Sequence, residues 1–388
     1  MAAQNLIRFV VIIILRVFVK SSESISSDNL SPASPRRFPP YQGVRGAYWP
    51  SFTDFPAASI DTKYFTHIYY AFLLPDPQSY KINITELDQT KIPEFINGLR
   101  YKYPPVKTLF SIGGGGYDPN VFAAMAKTRR TRKVFISSTI QVARHYGFDG
   151  IDLDWEFPAN KKDMANLALL YGEWYEALVL DAKIHRKPRL LLTSAVYYAS
   201  LMVRLGDEPR LYPGEAIRKY LDWVSPMCYD YHGSSWENFT GANAALYDPN
   251  SNISTHYGIG SWIKSGVPPE KLVMGLPLYG RTWQLKDPNV HGIGAPAVGI
   301  GPGDDGTMDY NRIMEFNKKN DATILYDAVS VSYYSYAGDS WISYDDVGSI
   351  KKKLQFASSL ALRGYFFWAL GQDEDWTISR QGLKYFHK

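Results

Sequence analysis

The chain has 388 residues, of which 42 are Lys or Arg and 38 are Asp or Glu; the resulting net charge of +4 excludes a strongly basic surface of the kind that binds nucleic acid. The hydrophobic share of 45% and the charged share of 21% are those of a folded globular protein. The only cysteine, Cys228, excludes an intramolecular disulfide, so a large core must stabilise the fold, and we expect this thiol to be buried and inert.

Residues 1–24 have the pattern of a secretory signal peptide. Arg8 supplies a positive flank, residues 9–15 form an apolar core, and small serine residues follow. Arg16 and Lys20 interrupt the apolar run and make it too short to span a bilayer, although an uncleaved anchor is the alternative. Residues 25–41 are rich in Ser and Pro and lack periodicity, so we predict a disordered leader. We therefore expect a secreted protein with no membrane attachment after the signal peptide is removed.

From residue 42 onward, short apolar runs rich in β-prone residues alternate with segments of helical length. Eight such runs are the pattern of a closed parallel barrel, so we predict an α/β fold, a (β/α)8 TIM barrel, over residues 42–388. The predicted strands are Val44–Trp49, Thr66–Leu73, Val106–Ile112, Asp149–Glu156, Leu190–Val196, Trp223–Tyr229, Leu272–Leu278 and Gly364–Ala369.

Two intervals between these strands are informative. After the fourth strand, apolar residues from Met164 to Leu178 recur at intervals of three and four and predict a helix that packs on the outside of the barrel, with Trp174 in the core. The interval between strands seven and eight is too long for one crossover helix. Its residues 284–343 contain turn-rich, helical and β-like runs, so we predict a small α+β insertion domain there, followed by a helix over 347–362.

The fourth strand carries three acids at alternate positions: Asp152, Asp154 and Glu156. Alternate residues of a strand share one face, so these carboxyl groups point the same way while Ile151 and Leu153 point into the core. Neighbouring buried carboxylates repel one another, and we expect at least one of them to retain a proton near neutral pH. A general acid supported by other carboxylates is the favoured interpretation; a divalent-metal site and a solvated charged face are the alternatives.

The run Asp149-Gly-Ile-Asp-Leu-Asp-Trp-Glu156-Phe-Pro resembles the DxxDxDxE signature of glycoside hydrolase family 18 chitinases, in particular their plant class V branch. The resemblance extends from residue 43 to about 386. It implies a hydrolase of β-1,4-linked N-acetylglucosamine that needs no cofactor and no metal. Because barrels of this type build their sites at the carboxyl ends of the strands, Glu156, at the end of predicted strand four, is expected at the mouth.

Other strand ends match further elements of that family. Residues 111–116, Ser-Ile-Gly-Gly-Gly-Gly, resemble its S-x-G-G element after strand three, and residues 227–231, Met-Cys-Tyr-Asp-Tyr, resemble its M-x-Y-D element after strand six. Tyr279-Gly280-Arg281 follows strand seven, and Trp368 ends strand eight. Each element by itself also fits ordinary barrel packing. Their coincidence at four strand ends is what favours a binding site.

The resemblance implies a retaining mechanism in which the substrate supplies the nucleophile. Glu156 is the expected general acid and base, Asp154 is expected to bond the acetamido N–H, and Asp152 to share a proton with Asp154. Tyr229 is expected to bond the acetamido oxygen, Asp230 a neighbouring sugar, and Trp368 to form the apolar floor. Further candidates for lining or positioning the substrate are Met227, Tyr48, Phe72, Gly114, Tyr279 and Arg281.

The expected partner is therefore chitin or its oligomers, bound by a monomer that is secreted to the apoplast rather than the vacuole. Lipid-modified chitin oligomers are an alternative substrate, and a non-catalytic chitin-binding lectin is an alternative from a different class. Three glycosylation sequons, at Asn83, Asn238 and Asn252, fit a secreted protein. The segments 234–236 and 289–305 match nothing in the family pattern and are left without a role.

Overall fold

A computed structural model of the protein describes residues 43–203 and 208–386. The predicted signal peptide and leader therefore lie outside the described residues. Eight parallel strands form the barrel, each beside the next, in the order seven, eight, one, two, three, four, five, six. A single parallel bridge between Val224 and Leu272 joins strand six to strand seven. The predicted (β/α)8 barrel is confirmed, with strands at Val44–Pro50, His67–Pro75, Lys107–Gly113, Gly150–Asp154, Leu191–Tyr197, Trp223–Met227, Val273–Pro277 and Gly364–Trp368.

Barrel strands four and six end earlier than predicted by the largest margin, at the end that matters for function. Strand four ends at Asp154, where its last partners are Gly113 and Ala195, so the prediction that Glu156 closes this strand is wrong. Strand six ends at Met227, opposite Tyr197, and not at Tyr229. Beyond Asp154 and Met227 the ladder pairing of these strands stops, and the chain leaves the sheet. The functional side chains beyond these points sit on the loops at the mouth.

The barrel has an inner and an outer apolar layer because side chains of a strand alternate between its faces. Inside, residues such as Tyr48, Tyr69 and Phe366 fill the barrel. Outside, helices cover the strands, and Trp174, on the helix Lys161–His185, is fully buried, as predicted. The helices are Glu86–Arg100, Pro119–Ala126, Arg129–Tyr146, Lys161–His185, Gly214–Tyr220, Thr255–Lys264, Tyr310–Lys319 and Val347–Ser359. None of these described helices is long and apolar enough to cross a membrane.

Short elements decorate the connections. One-turn 3-10 helices lie at Ala57–Ser59, Thr62–Tyr64 and Pro269–Lys271, and a longer one lies at Ser379–Lys384. Strand Ile82–Asn83 extends the edge of barrel strand two. The loop after barrel strand five forms a small antiparallel pair, Leu201–Met202 with Arg210–Leu211. This pair returns the chain to the side of the barrel where strand four ends.

The insertion between barrel strands seven and eight is an antiparallel sheet with one helix. The sheet begins at Tyr279, before the predicted boundary at 284, because only Leu278 separates it from barrel strand seven and no turn residue marks the change. Trp283 and Trp341 pack edge to face at 5.3 Å and are the centre of its core. The strands are Tyr279–Leu285, Ala297–Ile300, Thr307–Asp309, Thr323–Asp327, Ser332–Ala337 and Ser340–Tyr344.

Candidate active site

The acids of strand four lie inside the mouth of the barrel. Asp152 is fully buried and Asp154 is 4% exposed, while Ile151, Leu153 and Trp155 point outward into the core between the barrel and its helices. This is the alternation that the sequence predicts. A carboxyl group buried on the inner face of the barrel is removed from water, so neighbouring side chains must supply its hydrogen bonds.

Asp152 is held by three hydroxyl groups from three other barrel strands: one, three and five. Tyr48 donates to Oδ2 at 2.8 Å, Ser111 donates to Oδ2 at 2.7 Å, and Thr193 donates to Oδ1 at 2.6 Å. Burial raises the pKa of Asp152, and these three donors oppose that rise because they favour the ionised carboxylate. Asp152 is therefore a fixed group beneath Asp154.

Asp154 is strongly perturbed by its surroundings. Burial raises its pKa well above the usual value, and the charges of Glu156 and then Asp152 raise it further. Among the described residues no donor reaches its buried Oδ1 atom. The raised pKa favours the protonated form of Asp154, and its buried Oδ1 atom is available to a donor from a ligand.

Glu156 follows strand four in a turn and lies against the glycine-rich loop of strand three. A Cβ atom on Gly115 would stand 3.5 Å from both carboxylate oxygens of Glu156. Gly114 has a φ of +86°, and a Cβ atom there would stand 2.5 Å from the ring of Phe72. Its backbone N–H donates to the carbonyl of Asp154 at 2.9 Å. The glycines thus let this loop pass close to the acids and fasten the end of strand four.

A second polar group lies on the opposite side of the mouth. Tyr279 donates to Oδ1 of Asp230 at 2.6 Å, and Arg281 forms an ion pair with the same carboxylate at 2.6 Å. Tyr229, beside Asp230, is partly buried, and its ring lies 6.2 Å from that of Tyr279. Burial raises the pKa of Tyr229, with smaller contributions from Tyr279, Asp154 and Glu156, so its hydroxyl remains a neutral hydrogen-bond donor.

An aromatic floor joins the two polar groups. Trp368 stacks on Phe72 with ring centroids 5.5 Å apart, and lies 5.6 Å from the ring of Tyr48. Met227, at the end of strand six, packs beneath them in the inner core of the barrel. The structure thus brings the predicted site residues to one mouth. A small cavity of about 170 Å³ lies on the side of Asp230 and is lined by Asp230, Tyr279, Arg281, Thr307, Asp309, Trp368 and Gln372.

Two residues beside the site, Trp236 and Gln372, were missed by the sequence interpretation. Trp236, in the unassigned segment 234–236, lies under the Arg281 guanidinium at 5.0 Å and is 52% exposed. Gln372 bridges the site to the insertion by donating to Asp309 at 2.7 Å. An aromatic residue soon after the end of strand six is a signal that could have found Trp236. Nothing in the sequence pattern around Gln372 distinguishes it.

A larger groove, about 670 Å³, lies on the outer helices, away from the acids. Two of its lining groups already bind Asp181, which contacts Arg144 at 2.6 Å and His185 at 2.9 Å. In residues 43–203 and 208–386, no group of three His, Cys, Asp or Glu side chains is arranged to hold a metal ion. We therefore assign the candidate site to the barrel mouth.

Comparison with known proteins agrees with this geometry. The profile described as Glycosyl hydrolases family 18 matches residues 44–373. The chain is 60% identical over 351 residues to "Class V chitinase CHIT5" of Lotus japonicus, covering 90% of this chain and 88% of that protein. It is 57% identical to "Class V chitinase CHIT5a" of Medicago truncatula, covering 98% of each. A crystal structure of a class V chitinase from Nicotiana tobaccum in complex with NAG4 superposes with a TM-score of 0.85 at 38% identity, covering 89% of this chain and 99% of that one.

Proposed function

The chain belongs to glycosyl hydrolase family 18, and from this membership and its site we propose that it is a class V chitinase, a retaining endo-hydrolase of β-1,4-linked N-acetylglucosamine oligomers. The observation that carries the proposal is the series of two buried acids, Asp152 and Asp154, and the partly buried Glu156 beside the neutral hydroxyl of Tyr229. The three carboxyl groups have distinct environments, so their pKa values can differ as acid–base chemistry requires.

The proposed first step uses the substrate's own acetamido group as the nucleophile. Glu156 protonates the glycosidic oxygen, the bond from that oxygen to the anomeric carbon breaks, and the acetamido carbonyl oxygen attacks the anomeric carbon to give an oxazolinium ion. Asp154 accepts a hydrogen bond from the acetamido N–H and stabilises the positive charge that develops on the acetamido group. Tyr229 donates to the acetamido oxygen and orients it for attack.

In the second step the ionised Glu156 removes a proton from water as that water attacks the anomeric carbon. The oxazolinium ring opens, the acetamido group is restored, and the product keeps the β configuration. Asp152 supports both steps because its three hydroxyl donors hold it in place under Asp154. Trp368 provides the apolar floor under the sugar at the cleaved bond, and the ion pair of Asp230 with Arg281 borders the neighbouring sugar.

The deciding experiment is hydrolysis of the N-acetylglucosamine hexamer, with product lengths and anomeric form followed over time. We expect short products that are initially in the β anomer, and no cleavage of a cellulose hexamer, which lacks the acetamido group. Equal rates on both hexamers would contradict the mechanism. Binding without cleavage would instead leave a lectin, and slow cleavage would direct attention to lipid-modified oligomers.

We also propose that the protein is a secreted monomeric glycoprotein. The apolar pattern of residues 9–15 supports secretion, and the asparagines of the three sequons, Asn83, Asn238 and Asn252, are exposed. Expression in plant cells should yield the mature chain outside the cell, with a mass that falls after treatment with an N-glycanase. Retention inside the cell would contradict the proposal.

A further inference from the structure

Arg210 is a buried cation in the small antiparallel pair that follows barrel strand five. It lies opposite Met202 and is 1% exposed. A guanidinium placed so far from water must be surrounded by acceptors, because an unsatisfied buried charge is very costly. The acceptors therefore show what this side chain holds in place.

One acceptor of Arg210 lies in the turn that contains the proposed general acid. Its Nε atom donates to the carbonyl of Pro158 at 2.5 Å, across 52 positions of sequence, and Nη1 donates to the carbonyl of Glu208 at 3.2 Å. Pro158 is itself buried and stands two residues after Glu156. A charged donor on a backbone carbonyl is about twice as strong as a neutral one, so Arg210 fixes this turn firmly.

Other contacts place the strand pair beside the acids. The ring of Phe157 meets that of Tyr197, at the end of barrel strand five, edge to face at 5.6 Å. Tyr212, two residues after Arg210, is buried, and its pKa is raised first by that burial and then by nearby groups that include the carboxylates of Glu156 and Asp154. The strand pair thus supports the turn 155–160 from the side opposite the glycine loop.

We propose that Arg210 is a positioning residue for the reaction: by holding the carbonyl of Pro158, it fixes the turn that directs the carboxyl group of Glu156 toward the glycosidic oxygen. The inference rests on the proposed function of Glu156. General acid catalysis requires hydrogen-bond geometry at the proton that is transferred, and a misplacement of about 1 Å can cost about a hundredfold in rate. Substrate binding, which depends on the floor and the opposite wall, does not need this contact.

The chain offers a matched control in Arg45. This arginine is also buried, at 2% exposed, and also donates to backbone carbonyls, those of Tyr64, Phe386 and Lys63, at 3.0, 2.8 and 3.2 Å. It lies near the start of barrel strand one, at the end of the barrel away from the mouth. Arg45→Met should therefore lower thermal stability and leave kcat unchanged per folded molecule.

The test compares Arg210→Met, Arg210→Lys and Arg45→Met with the parent on the N-acetylglucosamine hexamer, at a temperature where each is folded. We expect Arg210→Met to lower kcat at least about tenfold with KM within about twofold of the parent value. Arg210→Lys should recover part of that loss, because an ammonium group can donate one of the two bonds.

The outcomes separate this inference from the proposed function. A parent that binds but does not cleave the hexamer removes the proposed function, and this inference with it. If the parent cleaves the hexamer but Arg210→Met keeps kcat within about twofold of the parent value, this inference alone is contradicted. The same holds if Arg210→Met loses only stability, as Arg45→Met does. If Arg210→Met does not fold, Arg210→Lys decides: an unchanged kcat contradicts the positioning role, and a lowered kcat with unchanged KM supports it.

Discussion

Asp152, Asp154 and Glu156 have the same kind of side chain and three different environments. Asp152 is bound by three hydroxyl groups, Asp154 has a buried oxygen without a donor among the described residues, and Glu156 stands in the turn beyond the strand. Their proposed roles follow from these surroundings, because burial and hydrogen bonding decide which carboxyl group keeps a proton. Two substitutions test this at the scale of single residues.

Glu156→Gln should keep oligomer binding and lower kcat at least about a thousandfold. Glutamine has nearly the same shape but no acidic proton, and general acid–base catalysis contributes about a hundred- to ten-thousandfold. Initial rates on the hexamer and calorimetric binding of the tetramer measure the two effects. Glu94→Gln, in an ion pair on an outer helix, is the control and should behave as the parent. Near-parent turnover by Glu156→Gln would move the acid role to another residue.

Asp154→Asn should stabilise the fold increasingly as the pH rises. Because burial raises the pKa of Asp154 well above the usual value of an aspartate, the folded state keeps a proton at pH values where the unfolded state has released it. The stability that Asp154 contributes to the folded state is fully present below its pKa in the unfolded state. It is lost as the pH rises through its pKa in the folded state. Asparagine does not titrate.

Urea unfolding at pH 4, 5.5 and 7 measures the difference between the Asp154→Asn variant and the parent. The free energy of unfolding of the variant, relative to the parent, should increase by at least about 1 kcal/mol over this range, which corresponds to about one unit of pKa. Parallel stability profiles would show that the pKa of Asp154 is not raised. Activity should fall at the same time, because this residue is proposed to bind the acetamido group.

At the scale of elements, loops that follow the strands complete the site. The loop from Asp230 to Gly241 is braced by the contact of His232 with Glu237 at 2.9 Å, and it carries Trp236 to Arg281 on the insertion sheet. A Cβ atom on Gly233 would stand 2.3 Å from the Trp236 ring, so the loop folds tightly against its own tryptophan. The result is an exposed aromatic surface at the rim of the cleft.

Trp236→Ala should raise KM for the hexamer up to about tenfold and leave kcat nearly unchanged, because an aromatic contact contributes about 0.5–1.5 kcal/mol beyond its buried area. Steady-state kinetics on the hexamer measure both parameters. The matched control is Phe239→Ala, an exposed aromatic residue of the same loop that pairs with Pro296 rather than Arg281. Equal effects of the two substitutions would argue against a specific contact at Trp236.

At the scale of the whole molecule, a buried ion pair joins the insertion to the barrel. Lys353, on the helix that resumes the barrel, binds Asp345, just after the last insertion strand, at 2.6 Å, and also donates to the carbonyl of Ala244. Both side chains are 1% exposed. Burial lowers the pKa of Lys353 and raises that of Asp345, and their mutual attraction opposes both shifts.

Lys353→Met should destabilise the protein by about 3–5 kcal/mol, because it leaves the carboxylate of Asp345 buried without a cation. Denaturant unfolding measures the change. The matched control is Lys161→Met, which breaks the exposed pair of Lys161 with Glu208 and should cost about 1 kcal/mol or less. Similar losses in the two variants would mean that the buried pair contributes no more than a surface pair.

The sequence by itself determined the eight strands, the outer helix with buried Trp174, and the acids of strand four, because each depends on a local period of two or about 3.6 residues. It also identified the family, because the acidic motif is continuous. Only the tertiary structure decided where strands four and six end, since that depends on partners in neighbouring strands. It also decided the bridge from Val224 to Leu272, the contact of Arg281 with Asp230 and that of Arg210 with Pro158. The partners in these contacts lie tens of residues apart, so no local pattern records them, and closure of the barrel brings them together.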